Sequence, residues 1–108
     1  MIELSNGNIA LSSNTEPYPI VIIDSLSYQV KKEIQLEKGI TSRSSLILFK
    51  NTFISCGYGN FVQISCYDFS VLFKSEENNF DGYGGMVPIV GGKYFAIQNK
   101  ECITIIKA

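Results

Sequence analysis

The chain has 108 residues, 45% hydrophobic and 18% charged, the composition of one globular domain rather than of a disordered or fibrous chain. Nine basic and ten acidic residues leave a net charge of −1, with no basic stripe or polybasic arm, so neither nucleic acid nor a membrane is an expected partner. The absence of histidine removes the commonest general base and transition-metal ligand, and with it the usual serine and cysteine nucleophiles.

In chain order, short apolar segments alternate with turn-forming residues. Met1 to Leu4 is followed by Asn6-Gly7 and then Ile9-Ala10-Leu11, which reads as two strands joined by a tight hairpin. A longer connection, Ser12 to Pro19, leads to Ile20-Val21-Ile22-Ile23-Asp24. Asp24-Ser25-Leu26-Ser27 then offers a short polar side chain that can bond its own backbone and start a turn. In the segment that follows, Tyr28, Val30 and Ile34 alternate with Gln29, Lys31 and Glu33, the half-wet pattern of a protected sheet edge.

The series then begins again. Leu46 to Phe49, Phe53-Ile54-Ser55, Phe61 to Ser65 and Phe69-Ser70-Val71 repeat the four segments, with Lys50-Asn51 and Cys66-Tyr67-Asp68 at the tight turns. Met86 to Val90, Phe95-Ala96-Ile97 and Cys102 to Ile106 begin a third set, with Gly91-Gly92 between its first two members. Ile20, Phe61 and Cys102 open the third segment of each set and are 41 positions apart in both steps. No segment has helical periodicity. The first and third segments of each set are near-continuous apolar runs, expected of strands buried on both faces.

A four-stranded antiparallel unit recurring every ~40 to 45 residues is the pattern of a β-propeller blade. The expected fold is therefore all-β, with about two and a half blades in an incomplete ring. One partial domain spans 1–108, with blades at about 1–36, 45–76 and 86–108. Ile20 to Ser25 leading into Tyr28-Gln29-Val30 and Ile34 resembles the third and fourth strands of WD40-like and related propellers. The Gly-His and Trp-Asp dipeptides of WD40 repeats are absent, since the chain has neither histidine nor tryptophan. Propellers close with at least four blades. Each open end would expose about four large apolar side chains, together worth roughly 6 to 12 kcal/mol, which rivals the stability of a domain. Closing the ring is expected to require further blades in a longer chain, or self-association.

The resemblance implies a non-enzymatic scaffold that binds a protein or peptide partner, without catalytic residues, metal or cofactor. The alternative is part of a propeller enzyme or carbohydrate-binding propeller, whose groups would line the central channel, where Glu3 is almost the only ionisable residue. Strand alternation places the longer connections, Ser12 to Pro19, Leu36 to Ser44, Gly57 to Asn60, Ser75 to Gly85 and Gln98 to Glu101, on one end of the sheets. Long connections on a rigid scaffold concentrate recognition residues. The candidates for partner binding are Tyr18, Arg43, Tyr58, Phe80, Asp81 and Tyr83, mostly residue types enriched at interface hot spots.

Asp24 and Asp68 are expected to form turns rather than act as catalysts. Glu77 to Gly82 imitates the start of a calcium loop but has Pro88 where the bidentate glutamate belongs. The glycines at 57, 59, 82, 84 and 85 read as turn residues, and the three cysteines as small buried or half-buried hydrophobes. Met1 to Ser5 does not resemble a secretory leader and no apolar run approaches the ~20 residues of a membrane helix, so a cytoplasmic location is expected.

Overall fold

The computed structural model describes residues 1–4, 6–13, 15–36, 44–82, 85–89, 92–99 and 102–107. These form thirteen strands and no α-helix. They are β1 (Ile2–Glu3), β2 (Asn8–Ser12), β3 (Ile20–Asp24), β4 (Val30–Ile34), β5 (Ser45–Phe49), β6 (Thr52–Cys56) and β7 (Tyr58–Gly59). β8 (Val62–Ser65), β9 (Val71–Lys74), β10 (Phe80–Asp81), β11 (Met86–Pro88), β12 (Tyr94–Gln98) and β13 (Ile103–Lys107) complete the set.

All pairing is antiparallel. The first sheet has the order β1-β2-β3-β4, the second β5-β6-β8-β9 and the third β11-β12-β13, while β7 and β10 form a separate ribbon. The three larger sheets are simple meanders, and none closes into a barrel.

Turn chemistry explains the hairpins. Gly7 at φ 86°, Lys50 at φ 58° and Gly92 at φ 70° supply the positive φ in the turns β1–β2, β5–β6 and β11–β12. For Lys50 the left-handed conformation carries a Cβ clash of about 1 kcal/mol that glycine avoids. The turns β3–β4 and β8–β9 are built alike. Tyr28 and Phe69, 41 positions apart, sit at φ 58° and 61°. The Tyr28 N–H donates to the Asp24 carbonyl and the Phe69 N–H to the Ser65 carbonyl, at 2.8 and 3.1 Å. Both third strands also shift register against their fourth strands at matching places, between Ile22 and Ile23 and between Gln63 and Ile64.

The sheets stack through two apolar layers. Leu4, Ala10, Ile20, Ile22 and Ile34 of the first sheet and its turns meet Leu46, Phe53, Val62, Ile64 and Cys66 of the second. On the far side of the second sheet, Ile47, Phe49, Ile54, Cys56 and Phe61 meet Met86, Phe95 and Ile97 of the third. Phe95 stands edge-on to both Phe49 and Phe61, with centroids 5.2 and 5.3 Å apart. Such pairs add roughly 0.5 to 1.5 kcal/mol each beyond their burial. β5 touches both β1 and β11, so the first strands of the three sheets lie together.

Three expectations need correction. The strand buried along its whole length is β6, a second strand, not the first and third strands of each set. β13 instead alternates exposed and half-buried residues, because no sheet among the described residues covers its outer face. Opposite Ile9, Phe53 and Phe95 stand Ile23, Ile64 and Ile106. The third-segment equivalence in the last set is thus Ile106 rather than Ile105, one residue later than the repeat spacing implies. Because side chains alternate between faces, that single step exchanges buried and exposed residues. Cys102 is accordingly exposed, whereas Cys56 and Cys66 are buried.

Candidate functional site

The long connections do meet. β7 lies between β6 and β8, β10 lies between β9 and β11, and the two pair with Tyr58 opposite Asp81 and Gly59 opposite Phe80. Phe80 also bridges to Asn99 in the connection from β12 to β13. Around the first sheet, the Gln35 Nε2 amide donates to the Pro17 carbonyl at 2.8 Å, tying the connection after β4 to the one before β3.

Each contact has a local cause. The Gly82 N–H donates to the Gly57 carbonyl at 2.7 Å, and a Cβ on Gly82 would lie 1.9 Å from the Cys56 carbonyl oxygen. Gly82 is therefore required by close backbone approach, and it also accepts the Gly85 N–H in a short turn. Of Gly57 and Gly59, expected in a turn, Gly57 instead precedes the two-residue strand β7 and Gly59 is its second residue. The Asn60 Nδ2 amide donates to the carbonyls of Ser75 and Glu77, at 2.7 and 3.1 Å, while the Ser75 hydroxyl accepts the Phe61 N–H. Asn60 and Ser75 were not among the sequence candidates. Only their amide and hydroxyl types, next to loop boundaries, signalled that they could stitch backbone.

The candidates separate into distinct environments. Tyr58 is 47% exposed on the ribbon, with Asp81 half-buried opposite it. Tyr18 is half-buried at φ 60°, and its N–H donates to the Thr15 carbonyl at 2.8 Å. Phe80 is a correction to the expected surface set: it is 2% exposed and packs edge-on against Phe61 at 5.1 Å. Burial of its ring anchors the ribbon to the second apolar layer instead of offering it to a partner. Arg43 and Tyr83 lie outside the described residues.

Beneath this end, the Cys56 thiol is pushed up to about 11, chiefly by burial and further by the nearby Asp81 charge, against an opposing hydrogen bond from the Gly82 N–H. It is thus protonated near neutral pH and a poor nucleophile. Among the described residues, no group of three or more cysteine, aspartate or glutamate side chains is placed to hold a metal ion.

The opposite end carries the tight turns. The Asp24 carboxylate accepts the N–H groups of Leu26 and Ser27 at 2.8 and 3.2 Å, which holds it below its usual range. Asp68 is lowered likewise, first by the Ser70 hydroxyl and then by the Ser70 N–H. Turn formation, expected for both, accounts for their surroundings. Leu26 at 91% and Tyr67 at 65% are large side chains open to solvent in these turns.

No helix among the described residues is long and apolar enough to cross a membrane. No family model, curated protein or solved structure matches the chain.

Proposed function

We propose that the chain is part of a WD40-like β-propeller and serves as a protein-binding scaffold through the end that carries its long connections. The observation that carries this reading is the convergence of those connections, with β7 paired to β10 and Phe80 bridged to Asn99. A fixed, mixed aromatic and polar surface on stacked sheets suits recognition. The blade reading draws its support from the meander order of each sheet, the gathering of β1, β5 and β11, and the two matching fourth-strand turns.

A second reading has its own observation. Leu26 and Tyr67 are strongly exposed at the opposite end, in the two turns built alike, and apolar side chains so placed suit a contact there. One experiment separates the two. Partner capture is compared between the native chain, the triple variant Arg43→Ala, Tyr58→Ala, Tyr83→Ala, and the double variant Leu26→Ser, Tyr67→Ser, with circular dichroism as the folding control. The leading reading requires the triple variant to lose capture and the double variant to keep it. The reverse pattern moves the binding face to the tight-turn end.

A further inference from the structure

Asn6 and Gly7 stand at the tip of the hairpin between β1 and β2, where the Gly7 N–H donates to the Leu4 carbonyl at 3.1 Å and the Leu4 N–H to the Asn8 carbonyl at 2.7 Å. The Asn6 side chain reaches beyond its own hairpin. Its Nδ2 amide donates to the Cys66 carbonyl in the β8–β9 turn at 2.7 Å, crossing from the first sheet to the second, while its Oδ1 accepts the Asn8 N–H at 3.3 Å. Leu4 and Cys66 are 2% and 0% exposed, and both belong to the apolar layer between those sheets. The carboxamide therefore fastens one corner of the joint between them.

The same residue is chemically vulnerable. Asn6 is exposed and is the only asparagine in the chain followed by glycine. Gly7 has no side chain to obstruct the approach of its backbone nitrogen to the Asn6 Cγ. The Gly7 N–H bond also lies at a hairpin tip, a kind of place that opens locally at little cost.

We propose that Asn6-Gly7 is a deamidation site whose conversion releases this corner of the joint between the first two sheets. The Gly7 nitrogen, its proton lost to solvent base, attacks the Asn6 Cγ. The Cγ–Nδ2 bond breaks, and the side-chain nitrogen takes protons from water and leaves as ammonia. Water then opens the cyclic imide at either carbonyl and leaves an aspartyl or an isoaspartyl linkage. Water is consumed, ammonia is released, and nothing is oxidised or reduced. Either product replaces the N–H donor by a carboxylate beside the Cys66 carbonyl oxygen, so that an attraction becomes a repulsion. The isoaspartyl product also lengthens the backbone within the turn, which disturbs the bonds between Leu4 and its partners across the hairpin.

The buried thiols read the outcome. Cys66 lies in the layer that is released and Cys56 in the layer on the far side of the second sheet, so each reports on one joint. The native chain is aged in mildly alkaline buffer and mapped by peptide mass spectrometry, and Asn6 should convert ahead of every other asparagine. Maleimide labelling is then compared among the fresh chain, the aged chain and the Asn6→Asp variant, with the exposed Cys102 as internal standard and circular dichroism as the folding control. In both altered forms Cys66 should label faster by about tenfold or more, while Cys56 stays within about twofold of its native rate. The aged chain is altered after it has folded, so the comparison stands even where Asn6→Asp folds poorly. An Asn6 that stays intact or converts after another asparagine overturns the proposal. So does a folded altered chain whose Cys66 labels at the native rate, or equal acceleration of both thiols, which marks general destabilisation instead of a released joint.

Discussion

The second and third sheets are made from similar material and have different fates. β6, Thr-Phe-Ile-Ser-Cys, is buried at every position, while β13, Ile-Thr-Ile-Ile-Lys, has as many apolar residues and leaves Ile103 69% and Ile105 56% exposed. The difference is place in the stack. The second sheet has an apolar layer on each side; the third has one, and its other face meets no sheet among the described residues. Burial here is a property of neighbours more than of the strand's own composition.

The largest expected effect puts that comparison at risk. Phe53→Ala removes a fully buried ring from the middle sheet and should cost about 3 to 5 kcal/mol in urea unfolding. Ile105→Ala, on the open face of β13, should cost about 1 kcal/mol or less, since little apolar area leaves water there. Similar losses would mean that the third sheet's outer face is covered in solution.

The thiols sharpen the same contrast. Cys102 should react with a maleimide in the folded protein, while Cys56 and Cys66 should react only when the chain unfolds. Cys56 also sets a pH dependence. Its folded value is about 11 against an ordinary value of 9.0, so the folded state holds its proton longer than the unfolded state. That contribution to stability is fully present below about pH 9 and is lost as pH rises through about 11. Urea midpoints should therefore fall across this window, and Cys56→Ala should flatten the fall.

The smallest effect distinguishes the two sheets with fourth strands from the one without. The lowered Asp24 and Asp68 carboxyls stabilise the folded state above the ordinary carboxylate range, and this is lost as pH falls through their lowered values. Asp68 is exposed and Asp24 half-buried at the surface, so solvent screening keeps the effect modest. Replacing both by asparagine should blunt the acid limb of a pH-stability curve below about pH 4, leaving its neutral region nearly unchanged. An unaltered acid limb would show that these turns contribute nothing through charge.

Much of the architecture was legible because it rests on local chemistry. Asn6-Gly7 and Gly91-Gly92 announce hairpins through their tolerance of positive φ, and Asp24 and Asp68 announce turns through short side chains that bond nearby N–H groups. The wet alternation of Tyr28 to Ile34 correctly marks β4 as an edge. The candidate site was less legible. Chain direction alone brings the long connections to one end, but β7 and β10 are two residues each, too short for any periodicity to register. Phe80 was misplaced for a related reason: an aromatic residue in a connection has the same sequence signature whether it faces a partner or the core.

The register of β13 marks the boundary between the two kinds of information. Ile103, Ile105 and Ile106 are apolar at both parities, so no alternation says which set faces inward, and regular spacing selects the wrong one. The sequence by itself determined strands, turns and their order, because backbone preference and side-chain hydrogen bonding act within a few residues. Which isoleucines are buried, which phenylalanine is core and which thiol is open were decided only when sheets stacked, because burial requires a neighbour that the strand does not itself encode.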